Sequence, residues 1–407
     1  MKNKESNSNS IANHSRDLIS EDLLKSFAPI RCCQYVVGSC RVDCRNRFVT
    51  TPTLYQRLYT ILLSCFVLIV HCILINFFYI QFKDYRDIFF LCTSIATFQT
   101  LLHFVYIVGA RFLNNKKHKE LYIKMEQLDN LIIDNTDKNL YNCIYKLNIA
   151  TVSITLFAFL LVFITSFDRL KKVICITGII YTDVTFLLET SHYSNLMVYF
   201  AMHLRILNRI LKNHLNKEYQ EDTIDLTIPS HNGYFVKILF KQIETKNLDL
   251  KSFEVQAYLK KLLNVFSHYQ NIYMFQMLLF CSKLVIYGVQ SFQFMILLVQ
   301  HNIVDILIYM DLLFTAIVYA ATIIFLCLRC ELFCNELKLT KQLSISIMAY
   351  CSQGSIRNKA KKIYKILEEI PPTFSVYDMW EMNARLLVKF GTLFTGMFVI
   401  LIQFAIL

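Results

Sequence analysis

The chain has 407 residues and a net charge of +12, with 42 Lys and Arg against 30 Asp and Glu. Apolar types make up 55 % and charged types only 18 %, against roughly 25 % charged in an ordinary soluble domain. The apolar residues come in blocks of about 20, which excludes a soluble or disordered chain and describes an all-α polytopic membrane protein.

Residues 1–57 are polar and hold no apolar core of signal-peptide length. They read as a cytoplasmic segment whose opening, "MKNKESNSNSIANHS", is disordered. Seven runs able to span a bilayer follow, at 58–80, 88–110, 145–167, 173–204, 272–299, 303–328 and 390–407. The first six form a block, 58–328, with amphipathic cytoplasmic helical loops at 111–144 and 205–271. Residues 329–389 form a cytoplasmic anchor segment leading to the last helix, 390–407. That helix would be about 27 Å long, just enough to cross.

Lys and Arg set the orientation, because basic loops stay cytoplasmic. The segments inside this topology carry 34 of them and the three outer loops carry five. The N-terminus is therefore expected inside and the C-terminus outside, opposite to a G-protein-coupled receptor. "FDRL" at 167–170 imitates the Asp-Arg pair of that class but falls on the outer side. The net charge is then a topology signal with some attraction to anionic lipid, and calls for no nucleic acid.

Fourteen Cys are present, almost all in membrane or cytosol, so no disulfide framework is expected. Cys32, Cys33, Cys40 and Cys44 form one cluster, and Cys327, Cys330 and Cys334 another. Neither has the paired spacing of a zinc ribbon, and no metal or cofactor is expected. No phosphate-cradling, zincin or nucleophile-elbow motif occurs, which argues against an enzyme.

Polar groups inside spans are costly and mark function or pairing. Counted from the outer end of each span, Asp183 lies about 15 Å deep, Gln290 about 13 Å and Asp311 about 12 Å. Tyr181, Gln293 and Tyr309 lie near that level, and Thr315 follows Asp311 by one turn. Together they outline a pocket open to the outside, lined by aromatics and a few polar groups. Glu189 and Lys283 both lie about 24 Å from the outer end and read as a structural ion pair.

The last helix carries the most specific pattern. Gly396 and Met397 are followed by "FVILI", then Gln403 and Phe404. This resembles the Thr-Tyr, five apolar residues, Gln-Phe pattern of insect gustatory receptors, with Gly-Met in place of Thr-Tyr and Thr395 one place early. The lead-in "PPTFSVYDMWEMNARLLVKFGTLFTGMFVILIQF" and "YFAMHLRILNRIL" at 199–211 are similar to the same family. The resemblance implies a tastant-gated, non-selective cation channel in the plasma membrane of chemosensory neurons. It would assemble as a homotetramer, or a heteromer with other gustatory receptors, around the last helix. Carried over, Phe404 would be the apolar constriction and Gln403 would couple pocket to gate. Ile400 and Met397, on the same face as Phe404, would line the pore. Clear sugar-receptor signatures are absent, which inclines the reading toward bitter or plant compounds. An odorant receptor subunit of the same superfamily, or a metabotropic seven-helix receptor, is the alternative.

Overall fold

A computed structural model describes residues 18–45, 47–81, 86–132, 138–167, 173–218, 254–300, 306–351, 354–369, 374–377 and 379–406. Two short helices open it, α1 (Glu21–Ser26) and α2 (Ala28–Val36). The hairpin of β1 (Asp43–Arg45) and β2 (Phe48–Thr50) follows. Then come α3 (Leu54–Gln81), α4 (Arg86–Phe112), α5 (Asn115–Asp129), α6 (Lys138–Phe167), α7 (Val173–Glu218), α8 (Val255–Gln300), α9 (Ile306–Tyr350) and α10 (Ser355–Glu368). A second small hairpin, β3 (Ser375–Val376) with β4 (Trp380–Glu381), leads into α11 (Ala384–Ile406).

The described part of each of the seven predicted spans falls on its own long helix: α3, α4, α6, α7, α8, α9 and α11. None of these helices contains Pro; the five Pro stand at 29, 52, 229, 371 and 372. Pro52 ends the first hairpin, and Thr53 and Gln56 then cap α3 reciprocally, Thr53 N donating to Gln56 Oε1 at 2.9 Å. Helices α7 and α8 have 46 residues and α9 has 45. At 1.5 Å per residue they run to about 68 Å, roughly twice the hydrocarbon thickness, so they continue beyond the membrane as one bundle.

Helix α7 is the axis of that bundle. Between Thr182 and Leu204 nearly every side chain is buried, polar ones such as Glu189, Asn195 and His203 included. It packs on α9, α6, α3, α8 and α2. Toward the inner ends of the spans and beyond them the packing is aromatic. Tyr193 stacks on Tyr269 at 5.0 Å, and Phe266 stacks on Phe333 at 4.0 Å.

The N-terminal segment holds structure that the sequence reading did not anticipate. Ile19, Leu23, Phe27 and Ile30 are fully buried, and α1 and α2 pack on α6 and α7. The apolar side chains recur at spacings of four, four and three, which makes one helical stripe. The segment is a built part of the bundle, and the opening residues 1–17 lie outside the described residues. The two hairpins were also unforeseen in an all-α reading. The second reverses the chain so that α11 can run back beside α8 and α9. Its closing hydrogen bond is Met382 N to Phe374 O, at 2.8 Å, and Asn383 Oδ1 caps α11 by accepting from Arg385 N and Leu386 N.

Candidate functional site

Three helices meet at Asp183. Lys283 Nζ of α8 donates to Asp183 Oδ1 at 2.6 Å, and Tyr319 OH of α9 donates to the same oxygen at 2.8 Å. Both charged side chains are 13 % exposed. The Lys283 ammonium also lies 4.4 Å from the centroid of the Phe186 ring, a cation–π contact strengthened by desolvation. Tyr287 stacks on Tyr319 at 5.1 Å.

This overturns the expected Glu189–Lys283 pair. Glu189 is fully buried and is met from another direction: Gln34 Nε2 donates to Glu189 Oε1 at 2.9 Å, and the Arg41 guanidinium pairs with Oε2. Arg41 in turn lies over the rings of Tyr106 and Tyr273, 5.3 and 4.9 Å from their centroids. The sequence counted Arg41 only as a loop charge, and nothing around it marks it as a buried partner. Counting depth from the outer ends failed because α7 and α8 are offset. The Tyr193–Tyr273 contact and the Asp183–Lys283 pair both set α8 about six residues, or 9 Å, from the assumed level.

The same offset divides the pocket candidates into two levels. Gln290 stands seven residues outward of Lys283, about 10 Å along α8. Asp311 stands eight residues outward of Tyr319, about 12 Å along α9. Gln290 is half-buried, and Thr315, half-buried, falls between the levels. The side chains of Gln293, Tyr309 and Asp311 lie outside the described residues. Asp183 therefore belongs to a deeper layer than Gln290 and Asp311, and the Asp183–Lys283–Tyr319 network forms a floor beneath them. Tyr181 turns away from α8 and α9. Its ring is parallel to that of Phe104 at 6.3 Å, and its hydroxyl donates to the carbonyl of Val37 in the N-terminal segment.

Helix α11 touches the bundle along one side. Leu386 and Phe390 are buried, and Phe394 and Met397 are half-buried. Phe394 sits on Gly288 of α8, where a Cβ would come within 2.2 Å of the ring. Further out, Phe398 meets Phe292 at 5.1 Å. Ile400 is 52 % exposed and Gln403 is exposed. Met397 thus lies toward the bundle, and Ile400 does not share its surroundings, although the two were expected together on the pore side. The Phe404 side chain lies outside the described residues. Among the described residues no cluster of His, Cys, Asp and Glu is arranged to hold a metal ion.

Fold and site together define a multi-pass helical membrane protein with a polar network buried between helices and a last helix attached by one side. The sequence profile of the 7tm chemosensory receptors matches residues 30–407, and the chain belongs to that family, a receptor family and not an enzyme class. The fold is that of the insect olfactory receptor OR5 from Machilis hrabei, with a TM-score of 0.63, 10 % identity and coverage of 92 % of this chain and 96 % of that one. A second structure of OR5, in complex with eugenol, matches with a TM-score of 0.54 and 11 % identity over 94 % of this chain and 98 % of that one. A search of curated proteins returns no match.

Proposed function

We propose that the chain is a gustatory receptor acting as a tastant-gated, non-selective cation channel, opened by a small bitter or plant compound. Several copies, four in the homomeric case, would surround a pore lined by α11, and each would hold one ligand pocket between α7, α8 and α9. The observation that carries this reading is the attachment of α11. It is seated on α8 through the Phe394–Gly288 contact, while the side bearing Gln403 is left exposed. Helix α8 also carries Lys283 in the floor of the pocket, so one rigid element joins ligand layer and gate. A ligand opens such a channel only by binding the open arrangement better than the closed one.

The complex of OR5 with eugenol supports a small neutral aromatic as a first ligand to try. The test is calcium imaging of cells expressing the chain, across a panel of tastants that includes eugenol. Ligand-evoked current that persists with G-protein signalling blocked is expected. Current that requires the G protein would sink the channel reading. Silence when expressed alone, with response on co-expression of a second receptor subunit, would favour the odorant-type alternative.

A further inference from the structure

The exposed side of α11 is not uniformly apolar. Arg385, Lys389, Thr392, Gly396, Val399 and Gln403 follow one another at spacings of four, three, four, three and four, which places them on a single line along the helix. All six are exposed, and the line lies opposite Phe390 and Phe394, which hold the helix to the bundle. Arg385 and Lys389 precede the predicted span and are solvated at its end in either case; within the span a lipid-facing line would be apolar throughout, whereas this one carries Thr392 and the Gln403 amide. This line is basic at one end, small and hydroxylic in the middle, and ends on an amide. The 23 residues of α11 contain no Asp or Glu. The nearest acid in the sequence, Glu381, belongs to β4 and accepts from Asn383 Nδ2 at 3.0 Å.

Resting on the reading that α11 lines the pore, we propose that Arg385 and Lys389 form a cationic collar at the pore entrance where α11 begins, on the same water-facing line as Gln403. Repeated in each copy, the collar places two positive charges per subunit at one mouth of a cation pathway. A charged ring with low-dielectric walls changes the local concentration of small ions. Here it lowers the cation concentration at the entrance beside the basic segments, so it limits conductance and favours current entering from the opposite side. Thr392 and Gly396, between the collar and Gln403, lie in the positive field.

The test is thiol modification of single-cysteine additions in the full chain, in broken membranes that expose both faces. T392C and G396C are treated with the anionic sulfonatoethyl and the cationic trimethylammonioethyl methanethiosulfonate, and modification is read by peptide mass. N358C, exposed on α10, is the accessible reference. Both sites lie before Gln403, so reagent arriving past the collar needs no open gate. T392C and G396C should be modified, the anionic reagent favoured over the cationic one by about fivefold more than in the same variants carrying R385Q/K389Q. N358C, flanked by Arg357 and Lys359, shows only that the reagents reach the protein. Failure of both sites to react while N358C reacts would place the line against lipid or protein and overturn the proposal. An anionic-to-cationic ratio unchanged or raised in R385Q/K389Q would overturn the collar. Two cysteine positions keep the result readable if one of them disturbs the helix. The pattern does not depend on any tastant, so a silent ligand panel and a failed labelling pattern are separate results.

Discussion

Lys283 and Asp183 show why a buried pair cannot be assigned from depth alone. Each is costly to bury unless matched, and the match is decided by which helix turns face each other. In this chain Asp183 takes Lys283 and Tyr319, and Glu189 takes Arg41 and Gln34. K283M leaves the Asp183 carboxylate buried without its cation and should cost about 3–5 kcal/mol. The double change D183N/K283M should cost less than K283M alone, because no charge is then stranded. Thermal unfolding of the purified full chain in detergent measures both, and equal losses would mean the pair is not coupled. Glu336 gives a pH-dependent case outside the spans. Burial pushes its carboxyl above the usual range, against the opposing hydrogen bond from Asn208 Nδ2 at 2.8 Å and the nearby charge of Arg205. The folded chain then holds this proton more tightly than the unfolded chain does. That contribution is present below the ordinary carboxylate range and is lost as pH rises through the raised folded value. E336Q, which keeps an acceptor for Asn208, should therefore melt above the wild type at neutral pH and lose that advantage in acid. A melting difference that does not change with pH would refute this.

At the scale of elements, the long helices were legible because their apolar runs are long and free of Pro. The register between helices was not legible, since no periodicity within one helix records the height of its neighbour. The N-terminal helices were legible in part. Their stripe of Ile19, Leu23, Phe27 and Ile30 is a helical pattern, but the polar residues between them dominate the composition. In α11, Gln403 and Phe404 carry the motif on which the proposed gate rests, whereas the Gly288–Phe394 seat could not be read, because a lone Gly in an apolar helix has no distinctive spacing. That seat makes its own prediction. A methyl group at Gly288 would fall 2.2 Å from Phe394 Cε1 and 2.9 Å from Cδ1, so G288A forces α11 and α8 apart or displaces the ring. The cost should be about 1–3 kcal/mol. F394A would lose packing on its own, but G288A/F394A should recover part of the loss from G288A, because the clash is then gone. Melting temperatures of the four proteins, wild type included, form the cycle; strictly additive losses would show that the two residues do not meet.

At the scale of the whole molecule, two independent asymmetries bear on orientation. Of the 42 Lys and Arg, 34 fall in the segments predicted inside and five in the loops predicted outside, a bias that governs insertion. The second asymmetry is in the packing. The N-terminal segment closes the bundle at the end where Thr60 and Arg111 lie, both donating to the carbonyl of Gly38. This is also the end from which α7, α8 and α9 extend into the aromatic core around Tyr193 and Phe266. A bundle of that size, tied to the basic segments, is expected on the side where the chain is synthesised. The N-terminus is therefore expected inside and, after seven crossings, the C-terminus outside. An epitope tag at the C-terminus should stain on intact cells, and one at the N-terminus only after permeabilisation. If the C-terminal tag stays hidden on intact cells while surface delivery is confirmed by biotinylation, the orientation is reversed. The layer of Gln290 and Asp311 would then face the cytosol, and the collar of Arg385 and Lys389 would face outward.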